Sequence, residues 1–232
     1  MTFFELSPQI SFQFRRIGRE KQPLLVVDHV LADPDALVAL AADAAYYVPE
    51  HTHYPGVNAR LPEAYYQPLL AGLRAPLEKA FGLPRGAGLD YFGFFALATR
   101  TADAALPIQK IPHHDCPDPG RLAMVHYLCR GPYGGTGFFR HRASGFESVD
   151  ARRHEAYVAA SRAELAVAAP GAAYAGEGTA GYALIDYAEL VFNRLVVYRS
   201  HVLHSGLLGN GALPDDPSTG RLTANGFIEV RR

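Results

Sequence analysis

Cysteine is nearly absent: Cys116 and Cys129 are the only two in 232 residues, too few for a disulfide framework, and neither lies in a C-x-x-C zinc pattern. A reducing, cytoplasmic setting suits such a chain. Charge of one sign is also missing, with Lys plus Arg at 22 and Asp plus Glu at 23, so no basic excess is available to hold a phosphate backbone. Nucleic acid is not expected as a partner. Nor does any apolar run approach the roughly 20 residues that cross a bilayer, and Met1 to Pro8 lacks a basic region followed by an apolar core. The chain reads as soluble and unsecreted, with no membrane partner. It has no internal repeat, linker or low-complexity segment. With 49% hydrophobic and 19% charged residues it can bury a full core, and a single domain over 1–232 is expected.

The first 88 residues read as a strand-and-helix support. Ser11 to Ile17 alternates apolar with polar residues, and Pro23 to Asp28 is a buried strand. Asp33-Pro34-Asp35 opens a helix running to about Tyr46, with Leu37, Leu40 and Ala41 on its inner face. Tyr54 to Asn58 looks like a loop with a turn. A second helix spans about Pro62 to Phe81, with Leu69, Leu70, Leu73 and Leu77 inward and Pro68 and Pro76 as points where it could split.

From Leu89 the period changes to that of short strands joined by Gly- and Pro-rich turns: Asp90–Thr99, Ile108–Asp115, Leu122–Cys129, Gly135–His141, Leu190–Ser200, Val202–Leu207 and Leu222–Val230. An Ala-rich helical stretch from Glu147 to Ala169 interrupts them. This pattern predicts a mostly β core, an antiparallel barrel or sandwich over 89–232, with N-terminal helices and an insertion at about 142–181.

The chemistry gathers at Ile111-Pro112-His113-His114-Asp115. If Gln109 to Asp115 is extended, His113 and Asp115 leave one face and His114 the other. One imidazole and one carboxylate are two thirds of a facial metal site, and a second imidazole from Val202-Leu203-His204-Ser205-Gly206 would complete the two-His, one-carboxylate set of non-haem Fe(II) oxygenases. A surface His beside an Asp in a turn is the alternative. His201 and His204 fall on opposite faces of an extended segment, so one of them points inward, and the small residues after His204 favour it over His201, an edge residue facing solvent. Further on, Arg221, Thr223 and Asn225 share one strand face, where a planar guanidinium can grip a carboxylate through two parallel hydrogen bonds and a hydroxyl can add a third. An outward Arg in a surface ion pair is the competing reading, and Arg194 and Arg199 compete with Arg221 for the anchoring role.

In this order the elements resemble the Fe(II)/2-oxoglutarate-dependent dioxygenase superfamily, most of all its prolyl-hydroxylase-like branch. They are H-x-D at His113 and Asp115, the strand Leu122 to Leu128, Gly134-Gly135-Thr136-Gly137-Phe138, His204, and R-x-T at Arg221 and Thr223. The resemblance covers roughly Leu89 to Arg232. It implies a double-stranded β-helix (a jelly-roll, cupin-like core) with Fe(II) held by His113, Asp115 and His204, and with 2-oxoglutarate as cosubstrate anchored through Arg221. Tyr127 matches in position a tyrosine that bonds the cosubstrate's distal carboxylate, with a plain core aromatic as the alternative. The implied activity is hydroxylation of a C–H bond in a small-molecule or amino-acid/peptide substrate, with consumption of O2 and release of succinate and CO2. The presence of Asp115 argues against halogenation, which needs that coordination position free for halide. Arg140, His141, Arg142, Asn58 and Asn193 are candidate substrate contacts. A jelly-roll binding module without metal, or a cupin-type metalloenzyme that uses no 2-oxoglutarate, are the other classes to weigh.

Overall fold

Ten short strands form among the described residues, some with apolar and polar residues alternating and some, such as the second and eighth, as continuous apolar runs. In order they are β1 (Ser11–Ile17), β2 (Gln22–Asp28), β3 (Gly56–Arg60), β4 (Leu89–Ala98), β5 (Arg121–Tyr127), β6 (Thr136–His141), β7 (Tyr182–Ala188), β8 (Leu195–Arg199), β9 (His204–Gly206) and β10 (Arg221–Val230). The computed structural model describes residues 4–50, 54–167 and 173–231. Seven strands make an antiparallel sheet of order β1-β2-β8-β5-β10-β4-β3, and three make a second of order β7-β6-β9. Their facing sides interdigitate through Val26, Ala123, Tyr127, Val196 and Tyr198 from the larger sheet and Phe138 and Ala188 from the smaller. The architecture is a mostly β jelly roll, as the resemblance implies. No helix among the described residues is long and apolar enough to cross a membrane.

The helices coat the outside of this sandwich. Helix α1 (Pro34–Ala42) starts where Asp33 Oδ1 accepts the Ala36 N–H at 3.1 Å. It buries Leu37 and Ala41, while Leu40 is 43% exposed and so not inward as its spacing suggested. It also stops short of Tyr46, because Tyr47 exchanges two backbone hydrogen bonds with Asn58, at 2.8 and 2.9 Å, and long-range pairing outweighs helix propensity there. Helix α2 (Glu63–Phe81) runs unbroken through Pro68 and Pro76 and buries Tyr65, Leu69, Leu73 and Leu77, with Leu70 only half-buried. Pro68 cannot donate to the Ala64 carbonyl four residues back, but the Phe4 N–H does so at 3.3 Å. Both helices pack on the outer face of the larger sheet against Leu25, Val27, Leu97, Leu122 and Leu222.

Other expectations need correction. The Tyr54–Asn58 stretch is not a turn, since β3 begins at Gly56. A Cβ on Gly56 would stand 2.0 Å from the Leu97 carbonyl oxygen, so the glycine serves close strand approach. Pro107–Lys110 forms a 3-10 turn, and the extended run starts at Ile111 rather than Gln109. Helix α3 (His154–Val167) starts later than Glu147 because the 147–149 backbone is engaged elsewhere: Leu203 N–H donates to Glu147 O at 2.8 Å and Val149 N–H to His201 O at 2.7 Å. The final residues expected in that helix, 168–169, lie outside the described residues. Strand β7 was not foreseen. It pairs with β6 across a bulge at Phe138/Phe139 that breaks the simple alternation.

Where β5 meets the helical layer, a buried polar pin holds the layers in register. The Asn193 carboxamide oxygen accepts from Leu31 N–H at 3.0 Å, and its Nδ2 donates to Leu31 O at 2.9 Å. The same oxygen lies 3.1 Å from His126 Nε2, so that nitrogen carries the proton and Nδ1, 3.0 Å from the Tyr65 hydroxyl, accepts. Burial depresses the His126 imidazole from 6.5 to about 4. The unfolded chain therefore binds a proton that the folded chain refuses between those values. Stability is then lost as pH falls from 6.5 toward 4, by a total of about 3 kcal/mol from this group. Chemical denaturation of wild type and His126→Gln at pH 7.5 and pH 4.5 should show a smaller acid loss in the variant. An equal loss in both would remove His126 from the account.

Candidate metal centre

Backbone pairing brings two remote segments together. His113 N–H donates to His204 O at 2.9 Å and His204 N–H donates back to His113 O at 2.8 Å, while Asp115 N–H donates to Ser200 O at 2.9 Å. Residues directly opposite in an antiparallel pair project to one side, and the two imidazole centroids lie 4.5 Å apart. One ligand-type atom from each of His113, Asp115 and His204 falls within 4.8 Å of the others. His204 Nε2 is 3.6 Å from Asp115 Oδ2, and His113 Nε2 is 3.7 Å from Asp115 Oδ1.

The electronic states of His204 and Asp115 suit a cation. A carbonyl can only accept, so the 2.9 Å contact of His204 Nδ1 with Val202 O puts the proton on Nδ1 and leaves the Nε2 lone pair facing the cluster. Burial pushes His204 down to about 4, so it is neutral at pH 7. Burial lifts the Asp115 carboxyl to about 6, opposed by His113 and Arg121, which leaves it mostly ionised at pH 7. His204 is buried at the sheet edge against the Tyr198 ring at 4.7 Å, whereas the His113 side chain is 54% exposed, so the cluster opens outward on one side. His114 turns the other way, with Nε2 3.1 Å from His154 Nδ1. His201 is not a solvated edge residue: it is 4% exposed, and its carbonyl accepts from Val149 N–H at 2.7 Å.

Arg221 faces inward and is 4% exposed. Its Nε and Nη2 donate to Gly134 O at 3.2 Å and Nη2 also to Gly135 O at 3.2 Å, and no carboxylate pairs with it among the described residues. Gly134 and Gly135 permit this, since a Cβ at either would stand about 2 Å from the Leu207 or Ala188 carbonyl oxygen. Nη2 is also 3.5 Å from where a Gly206 Cβ would stand, two residues past His204. Thr223 and Tyr127 are register partners on the same inner face; the Thr223 hydroxyl donates to Ala96 O at 3.3 Å and the Tyr127 hydroxyl bonds Thr136 Oγ1 at 2.7 Å. Burial pushes Tyr127 up to about 12, so it stays a neutral donor.

The competing arginines are already engaged. Arg194 grips Asp28 at 2.6 and 3.1 Å, and Arg199 donates to Phe81 O at 2.8 Å and to Pro119 O. Most candidate substrate contacts are occupied as well: Arg140 pairs with Glu147 at 2.8 Å, Arg142 donates to Tyr182 O at 2.9 Å, His141 bonds Ser144 at 2.8 Å, and Asn193 forms the pin described above. Asn58 Oδ1 is different, being buried with no hydrogen-bond partner among the described residues, and Asn225 Oδ1 shares that state. Asn225 stood on the Arg221 face in the sequence, but nothing there showed that its carboxamide would be left without a partner.

A jelly roll with a histidine/aspartate/histidine cluster at the edge of its smaller sheet defines the general class, and solved structures of that fold are similar. HygX from Streptomyces hygroscopicus, solved with nickel, 2-oxoglutarate and hygromycin B bound, shares 14% identity over 91% of this chain and 84% of that one, with a TM-score of 0.50. HygX with nickel and 2-oxoglutarate matches at 15% identity over 90% and 84%, with a TM-score of 0.44. A Pseudomonas putida prolyl-4-hydroxylase matches at 20% identity over 92% and 89%, with a TM-score of 0.41. Residues 8–228 match the model described as "Family of unknown function (DUF6445)", and the chain belongs to that family. No curated protein matches it.

Proposed function

We propose that this protein is a non-haem Fe(II)- and 2-oxoglutarate-dependent oxygenase that hydroxylates a C–H bond of its substrate and releases succinate and CO2. The observation that carries the reading is the convergence of His113, Asp115 and His204 within 4.8 Å, with the His204 Nε2 lone pair turned toward its neighbours. Two imidazoles and one carboxylate fit a divalent first-row metal and leave coordination positions open. Bound there, Fe(II) and 2-oxoglutarate supply the O2-dependent oxidation of a C–H bond.

The protein's part is to hold and orient. His113, Asp115 and His204 are the metal ligands, and the Val202 carbonyl keeps the His204 ring in its tautomer. Arg221 carries a buried positive charge whose hydrogen-bond partners among the described residues are neutral carbonyls, and it is the anchor for a carboxylate of the cosubstrate. Thr223 and Tyr127 set the floor beside it and offer hydroxyls. The bound metal and 2-oxoglutarate in HygX, which has the same fold, support this reading.

Anaerobic protein mixed with Fe(II) and 2-oxoglutarate should develop a weak visible charge-transfer band that neither addition produces alone. A well-folded wild type without that band would leave a jelly roll that binds but does not oxidise.

A further inference from the structure

The two sides of the sandwich are not alike. On the β1/β7 side Arg15 of β1 pairs with Asp186 of β7 and joins the two sheets. On the other side the smaller sheet ends at β9, while the larger continues through β10, β4 and β3. Register pairs across the larger sheet put Phe94, Asn225 and Val125 in one row on its inner face, and Phe92, Phe227 and Ala123 in the next. Phe227 packs against the interior cluster, whereas Phe92 is 61% exposed, with its ring edge-on to Phe94 at 5.9 Å. The Arg121 guanidinium sits 4.7 Å over the Phe227 ring, and Ser200 links the two sites through its backbone, donating to Arg121 O at 3.0 Å and accepting from Asp115 N–H at 2.9 Å, so this face runs up to the metal cluster.

Two features of the face point to a ligand. Phe92 is exposed and Phe94 half-buried beside a polar site, as a ring-binding platform requires. Among these rings the Asn225 carboxamide oxygen is buried and makes no hydrogen bond with the described residues, an arrangement that leaves a group wanting a donor. We propose that the inner face of β10 and β4 is the substrate subsite, and that it selects a ring-bearing small molecule whose N–H or O–H donates to Asn225 Oδ1 while its ring lies on Phe92 and Phe94. This rests on the oxygenase reading, because it takes the molecule held there to be the one oxidised.

The test uses 2-naphthol and 2-methoxynaphthalene, which share a ring system and differ in one donor, titrated by probe fluorescence into protein loaded with Ni(II) and 2-oxoglutarate. Wild type should bind the naphthol about fivefold more tightly, the worth of one neutral hydrogen bond. Asn225→Leu should erase that preference, and Phe94→Ala should weaken both probes alike. Equal binding of the two probes by wild type, no naphthol binding, or a preference that persists in Asn225→Leu overturns the proposal; the last would mean the naphthol oxygen reaches the metal instead. The Fe(II)/2-oxoglutarate band, recorded on the same preparations, separates the two readings. A band without the preference removes the subsite alone, and no band removes the oxygenase and this substrate together.

Discussion

His204→Ala should lose the divalent metal, with affinity for Ni(II) or Co(II) falling at least about 100-fold and the Fe(II)/2-oxoglutarate band disappearing. Loss of an outer partner of a ligand already costs 10- to 100-fold, and this change removes a ligand outright. Of the three side chains His204 is the most restrained: it is buried, held by Val202 O at 2.9 Å, packed on Tyr198 and paired through its backbone to His113. A backbone pair survives truncation of the side chain, so the variant keeps the strand and loses the donor. Calorimetric titration of wild type and variant measures this directly. His114→Ala is the matched control, because His114 bonds His154 and points away from the cluster, and it should bind metal like wild type. If His204→Ala bound Ni(II) as tightly as wild type, the three residues would not be the metal ligands.

Much of this geometry was legible in the sequence because it follows from a period of two. The alternation that puts His113 and Asp115 on one face and His114 on the other holds locally, although the extended run is shorter than expected and begins at Ile111. The Arg221, Thr223, Asn225 face is likewise a property of a single strand. Partner choice was less legible. Tyr47 leaves helical geometry for a pairing with Asn58, and Glu147 and Val149 leave it for the segment before β9, and neither pairing has a local signal. Pro-Gly at 55–56 read as a turn, yet Gly56 is there for the Leu97 carbonyl, a neighbour known only once β3 lies beside β4. His201 and the unpartnered Asn58 and Asn225 carboxamides show the same limit, since burial and hydrogen-bond satisfaction belong to the assembled layers.

Arg221→Met should separate binding from stability. The wild-type guanidinium is almost fully buried, and its partners among the described residues are the neutral carbonyls of Gly134 and Gly135. A buried charge without a counter-ion carries a desolvation cost that neutral hydrogen bonds only partly offset, and an apolar residue of similar length removes that cost. Two carbonyls lose a donor in exchange, which returns a penalty of about 1 kcal/mol each at most sites. The unliganded variant should therefore melt within a few degrees of wild type. Its response to 2-oxoglutarate should collapse. A charge-assisted pair to a carboxylate is worth about 1.5–3 kcal/mol per bond, so loss of a two-pronged grip predicts at least a 100-fold weaker affinity. Thermal melts of Ni(II)-loaded protein at increasing 2-oxoglutarate read both quantities at once: wild type should shift upward with concentration as mass action requires, and the variant should stay flat. Chloride or acetate in place of 2-oxoglutarate should not reproduce the wild-type shift. A variant that still shifted like wild type would assign the carboxylate to another group and leave Arg221 as a structural tie between β10 and the Gly134–Gly135 turn.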